Sequence, residues 1–187
     1  MAKVYINPGH DRDYDSGAVH PVTGMREADV AKKVGDLVAD YLTMVGYDVL
    51  VRQSDNLYHD TVHDDRNVAV IDEANAWGAD VFVSIHCNAF NCQAHGTETL
   101  SYTNSGNGYK LAGHIQTQII DSLGTLDRGV KSRPGLLVLK HTNMPAALVE
   151  LAFIDNDADM ELLANRQDDF ARAVARGVTD YFANLKH

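Results

Sequence analysis

Val81-Phe82-Val83-Ser84-Ile85-His86 decides the reading of this chain: an almost unbroken apolar run that ends on an imidazole. A strand with one wet face alternates apolar and polar residues, so a run without alternation belongs to a strand covered on both faces, as in a parallel sheet. The preceding segment, Asp60–Trp77, has helical spacing and stops at Gly78 just before the strand. A helix feeding a buried strand is half of a βαβ unit, and the same unit recurs outward in both directions.

Towards the N-terminus, Lys3–Ile6 reads as a first strand, stopped by the turn signal Asn7-Pro8-Gly9. Asp11–Gly24 is polar and glycine-containing, hence a loop. From Glu27, Val30, Val34, Leu37, Val38, Tyr41, Leu42 and Val45 keep a helical stripe up to Gly46, and Tyr47–Val51 follows as a second strand. Towards the C-terminus, Gly96–Tyr102 is a weaker strand, expected at a sheet edge. Tyr109–Leu123 is helical and closed by Gly124. Leu136–Leu139 and Ala146–Leu151 read as two further strands. Asp168–Leu185 closes the chain as an amphipathic helix with Phe170, Val174, Val178, Tyr181 and Leu185 inward. The fold class is α/β with a mainly parallel sheet, and residues 1–187 read as one domain.

Composition agrees. The chain has 187 residues, 45% apolar and 22% charged, with 4 prolines, which excludes disordered and fibrous classes. A chain of this length buries roughly 70% of its extended surface and needs no staples. Its 26 acidic and 16 basic residues give a net charge of −10. No stretch is rich in Lys or Arg, which argues against nucleic acid or a membrane surface as partner. No apolar run is long enough to span a bilayer or to serve as a signal peptide, so synthesis in the cytoplasm without a leader is expected. Cys87 and Cys92 are too few for a disulfide framework.

In an open α/β sheet, ligands bind beyond the carboxyl ends of the strands. His10 follows the first strand, His86 closes the apolar run, Glu150 lies near the end of Ala146–Leu151, and Glu27 opens the first helix from the same edge. Two imidazoles and one carboxylate form the ligand set of a catalytic zinc site, and a second carboxylate supplies the base that moves the proton of water. Spacing leaves open which of Glu27 and Glu150 does which. A glutamate at a helix start more often serves the macrodipole. Glu150 is less ordinary, because a carboxylate on an apolar strand is costly unless paired or bound. The other histidines, such as His20, His59, His95 and His114, read as loop residues with a satisfied hydrogen bond.

These residues carry a resemblance. Asn7-Pro8-Gly9-His10, Asp15-Ser16-Gly17-Ala18 and Glu27 resemble the first block of the zinc-dependent N-acetylmuramoyl-L-alanine amidases of the amidase-3 type. Arg66, Ala74-Asn75 and Ala79-Asp80-Val81-Phe82-Val83-Ser84-Ile85-His86-Cys87-Asn88-Ala89 resemble the second, with Gly96-Thr97-Glu98-Thr99 as the strand after it. Met144-Pro145-Ala146-Ala147-Leu148-Val149-Glu150 and Phe153-Ile154-Asp155-Asn156 resemble the last. The resemblance implies a twisted sheet of about six strands with helices on both faces. It implies a peptidoglycan hydrolase that cuts the amide between N-acetylmuramic acid and L-alanine. It assigns His10, Glu27 and His86 to one Zn2+ per chain and Glu150 to acid/base catalysis by zinc-activated water. The sequence departs from that pattern at Asn7, where Asp is usual, and at Ala152 and Asp155, where Gly and Ser or Thr are usual.

On this reading the chain is a monomeric catalytic domain without a separate wall-binding domain, acting on the bacterial cell wall after release or lysis, as an endolysin or autolysin. The alternatives are a zinc hydrolase of another acyl-amide and a catalytically silent wall-binding or regulatory module of the same fold. Asn88 and His141 are candidate substrate contacts, with turn and loop roles as the alternative. Cys87, Cys92, His86 and His95 could be drawn as a second metal cluster, but strand alternation sends His86 and Cys87 to opposite faces. Asp155, Asp157 and Asp159 imitate the start of an EF-hand loop, yet Met160 stands where its glycine belongs. Capping of a short helix is the better reading.

Overall fold

A computed structural model describes residues 1–59 and 68–185. The elements are β1 (Lys3–Pro8), α1 (Glu27–Met44), β2 (Asp48–Val51), α2 (Val70–Trp77), β3 (Val81–Asn88), β4 (Thr97–Ser101), α3 (Gly106–Leu123), β5 (Asp127–Ser132), α4 (Leu137–Lys140), β6 (Ala146–Phe153), α5 (Asp157–Asn165) and α6 (Gln167–Asn184). One six-stranded sheet has the order β2-β1-β3-β6-β4-β5. Every pairing is parallel except β4 with β6.

Alternation along β3 explains why its sequence does not alternate. Val81, Val83, Ile85 and Cys87 enter a core shared with α1, α3 and α6, while Phe82 enters a second core with α2 and α4. Both faces are dry, so both rows must be apolar. Fully burying a side chain such as Phe82 or Ile85 contributes about 1.5–3 kcal/mol. The row of Phe82 and Ser84 ends at His86, where cover by the small helices α2 and α4 runs out. That edge is where the chemistry-bearing residues collect.

Several sequence expectations are corrected here. Gly96–Tyr102 is not an edge strand: β4 lies between β6 and β5, and all of Thr97–Ser101 is buried. The edge on that side is β5, whose Asp-Arg-Gly-Val-Lys-Ser sequence carries no strand pattern. Leu136–Leu139 is not a strand; Leu137–Lys140 forms one helical turn, with Val138 and Leu139 packed under the sheet. A short apolar run cannot distinguish the two by periodicity. Of the helix expected over Asp60–Trp77, Val70–Trp77 is helical, and residues 60–67 lie outside the described residues, as does Arg66. In α1 the row Val30, Val34, Val38 and Leu42 is buried, but Val45 is 64% exposed; Leu185, beyond the end of α6, is also half exposed. Among the described residues, no helix is long and apolar enough to cross a membrane.

Candidate metal and catalytic site

His10 and His86 are brought side by side by neighbouring strands. β1 and β3 run parallel in register, and the Gly9 N–H donates to the Ile85 carbonyl at 2.8 Å, extending the ladder one residue past β1. His10 then takes a left-handed φ of 63°, which turns its ring back over the strand ends. The two imidazole centroids lie 4.9 Å apart at 74°. Gly9 is required by this approach: a Cβ there would stand 2.2 Å from His86 Cε1.

Glu27 reaches the same point from the first turn of α1. The Glu27 N–H donates to the Ala18 carbonyl at 2.8 Å, which pins the helix start to the returning loop. Its buried carboxylate is surrounded by donors. Oε1 lies 3.0 Å from His10 Nε2 and 2.9 Å from His86 Nδ1, and accepts from the Cys87 N–H at 3.0 Å. Oε2 accepts from the Ala18 N–H at 2.9 Å. Gly17, at φ +63°, lets the loop close over this group, since a Cβ there would meet Glu27 Oε2 at 2.6 Å.

Burial opposes ionisation of Glu27, but the hydrogen bonds from His10 and His86 outweigh it and hold the carboxyl well below the usual range. Burial likewise opposes charging of His10. The Glu27 and Asp15 carboxylates overcome it and push the His10 pKa up to about 9. Asp15 was not singled out as a site residue from the sequence; its Oδ2 sits 2.7 Å from His10 Nδ1 and fixes the orientation of the ring. One ligand atom from each of His10, Glu27 and His86 lies within 4.8 Å of the others, and no other such cluster occurs among the described residues. Two ring nitrogens, one carboxylate oxygen and a carboxylate behind one ring form the donor set of a zinc site with an orienting outer partner, so the residues fit that ion.

Glu150 is placed by the sheet. It is the register partner of His86 across the β3–β6 ladder and of Glu98 across the β4–β6 ladder, so the three side chains share one face. Its Oε2 is covered and meets no hydrogen-bond partner. Burial drives its pKa up; the His86 ring opposes this, the Glu27 and Glu98 carboxylates add to it, and the outcome is about 7. Glu98 stays ionised despite burial, because Lys131 Nζ at 2.5 Å and Arg128 Nε at 2.9 Å hold it low.

A cleft of about 460 Å³ opens over this group, lined by His10, Glu27, His86, Glu98, Glu150 and Arg133 among others. Asn88 lines it too; its side chain accepts from the Ala89 N–H. A smaller hollow of about 170 Å³ shares His10 and His86 and has Leu57, Leu136, Leu137 and Leu148 as apolar wall. His141 lines neither. It stacks on Tyr58 with centroids 4.5 Å apart, and its carbonyl accepts from Asn75 Nδ2.

Asn7 holds β1 to both neighbours, donating to the Arg52 carbonyl and accepting from Ser84 Oγ, work that a neutral amide does without a buried charge. Asp155 and Asp159 accept backbone N–H groups, of Phe90 and Cys92 and of Gly96 and Phe153, while Asn156 caps α5. Cys87 is buried in the opposite core and Cys92 is exposed.

Comparison with known proteins settles the family, because the N-acetylmuramoyl-L-alanine amidase domain matches residues 4–180. The chain belongs to this amidase family. It is 36% identical to the N-acetylmuramoyl-L-alanine amidase LytC of Bacillus subtilis over 96% of its own length and 35% of that protein's. The endolysin of Bacillus phage SPP1 is 33% identical over 97% of this chain and 65% of its own. The chain thus spans less than two thirds of those two relatives, but 84% of the uncharacterized B. subtilis protein YqiI, to which it is 37% identical over 96% of its length. Among solved structures, the amidase AmiC2 of Nostoc punctiforme superposes with a TM-score of 0.83 at 29% identity, covering 97% of each chain. The catalytic domain of CwlV from Bacillus (Paenibacillus) polymyxa gives 0.83 at 26% identity, covering 98% of this chain and 99% of that one. The amidase family fold therefore includes the six-stranded, mostly parallel sheet described above.

Proposed function

We propose that this chain is a zinc-dependent N-acetylmuramoyl-L-alanine amidase that hydrolyses the amide between N-acetylmuramic acid and the L-alanine of the peptidoglycan stem. The observation that carries this reading is the convergence of His10, Glu27 and His86 within 4.8 Å, beside a Glu150 oxygen that no protein group satisfies. Family membership names the bond.

His10, Glu27 and His86 would hold the ion, with Asp15 steadying His10 from behind. Zinc supplies a Lewis acid, which lowers the pKa of water towards ~7 and polarises a carbonyl oxygen. Glu150 is the base: it takes a proton from the attacking water and returns it to the nitrogen as the C–N bond breaks. Hydroxyl adds to the lactyl carbonyl carbon and the nitrogen leaves as a free amine. The products are a muramic acid carboxylate and a peptide that begins with L-alanine. A carboxyl with its pKa near 7 suits a group that must both take and give a proton near neutrality. Asn88, at the cleft wall, is in place to touch substrate, whereas His141 stacks on Tyr58 and lines neither hollow.

Glu150→Gln separates this reading from a ligand role. Turnover should fall by about 10²–10⁴-fold while zinc per chain stays as in the parent, and His86→Ala should lose both. Zinc lost from Glu150→Gln would exchange the roles of Glu27 and Glu150. Undiminished turnover would remove Glu150 from the mechanism.

A further inference from the structure

We propose that Arg133 forms a carboxylate subsite of the cleft, selecting substrates with a free carboxylate on the residue that follows L-alanine. This rests on the amidase reading and extends it to the peptide side of the scissile bond. The cleft is lined by Glu27, Glu98 and Glu150 in a chain of net charge −10; the proposed ion sits at Glu27 and Glu98 is already paired, so an anionic peptide group away from the ion needs a cation of its own. Among the described residues, Arg133 is the only Arg or Lys lining it.

Its charge is uncommitted. Every other described arginine is ion-paired to a carboxylate, as Arg12 is to Asp29 and Arg52 to Glu73. Glu98, the acidic neighbour of Glu150, is already neutralised by Arg128 and Lys131. The Arg133 guanidinium donates only to the Ser132 carbonyl, at 3.2 Å. Its backbone is fixed: the Arg133 N–H donates to the Ser101 carbonyl at 2.8 Å, and Pro134 follows. An anchored backbone carrying a guanidinium outside any ion pair suits bidentate pairing with a carboxylate.

In the peptidoglycan stem, the second residue is γ-linked D-glutamate, whose α-carboxylate is free unless amidated. An extended residue spans about 3.3–3.6 Å, so that carboxylate lies within one or two residues of the bond being cut. The last carboxylate of the stem is the other source of the same chemistry, and the substrates below separate the two.

The test is kcat/KM on three soluble muramoyl tripeptides: one with both carboxylates free, one amidated at the second residue, and one amidated at the C-terminus. Arg133→Gln should lose about tenfold to a hundredfold on the first and third, chiefly through KM, and change little on the second. Arg133→Lys should recover part of the loss. Arg133 is exposed and, among the described residues, its side chain makes no other hydrogen bond or ion pair, so the unfolding temperature should not move. A loss confined to substrates with a free C-terminus, or equal on all three, overturns the subsite while leaving the amidase. If the parent protein cleaves none of the three with zinc present, the amidase reading fails and the subsite falls with it.

Discussion

Glu98 and Glu150 face each other across the antiparallel β4–β6 ladder, one carboxylate held ionised by Arg128 and Lys131, the other with a covered oxygen and no partner. A fixed negative charge beside a buried carboxyl favours its protonated form. Glu150 must be ionised to act as a base, so activity should rise with pH through about 7 and fall tenfold per unit below it. Glu98→Gln removes the repelling charge and frees two cations, and both changes stabilise ionised Glu150. The acid limb of the kcat profile should move to lower pH by about one unit. A limb that stays in place, or moves up, would remove Glu98 from the tuning of Glu150.

Metal uptake should release a proton. In the metal-free protein the His10 pKa is raised to about 9, so its ring is charged at pH 7, whereas a ligand imidazole must be neutral. The sign follows: zinc affinity should climb about tenfold per pH unit from 7 towards 9 and then level off. Calorimetric titration in buffers of different ionisation enthalpy reads the released proton directly. A titration with no proton release at pH 7 would show that His10 is neutral before the metal arrives.

Asp15 acts through His10. Asp15→Ala leaves the three candidate ligands in place but frees the ring that Asp15 Oδ2 holds at 2.7 Å. Zinc affinity should weaken about 10–100-fold. Competition with a chromogenic chelator measures it, and an unchanged affinity would make the Asp15 contact incidental.

Much of this site was legible in the sequence because His86 and Glu150 interrupt apolar strands, where an ionisable side chain is costly unless it has a use. The central strands were legible for the same reason: both faces of β3 are dry, and the run shows it. The rest of the site has no such contrast. Glu98 sits in Thr-Glu-Thr-Leu-Ser, where four of five residues are polar and a carboxylate looks like surface. Only its register opposite Glu150 reveals it. Asp15 and Arg133 lie in loops whose closure depends on contacts far along the chain, and β5 is stabilised by pairing with β4, not by its own residues. Leu136–Leu139 reads as a strand in the sequence because four residues are too few to show a period, and Leu137–Lys140 is a helical turn.

Gly9 offers a purely steric test, since its φ is not left-handed and a Cβ there meets the His86 ring at 2.2 Å. Gly9→Ala should destabilise the protein by about 1–3 kcal/mol and lower zinc content by displacing the ring. Gly113 in α3 is the control: a Cβ there meets nothing within 4 Å. Gly113→Ala should stabilise by up to about 1 kcal/mol with zinc content unchanged. Thermal unfolding with metal analysis reads both, and full zinc occupancy in Gly9→Ala would contradict the tight seating of His86.

The most direct measurement is mass spectrometry of purified peptidoglycan digested by the protein, with and without a chelator. Free peptides beginning with L-alanine beside intact glycan strands, seen only when metal is present, are the predicted result. Fragments cut within the glycan, or the same peptides released in the presence of chelator, would contradict a zinc-dependent amidase at His10, Glu27, His86 and Glu150.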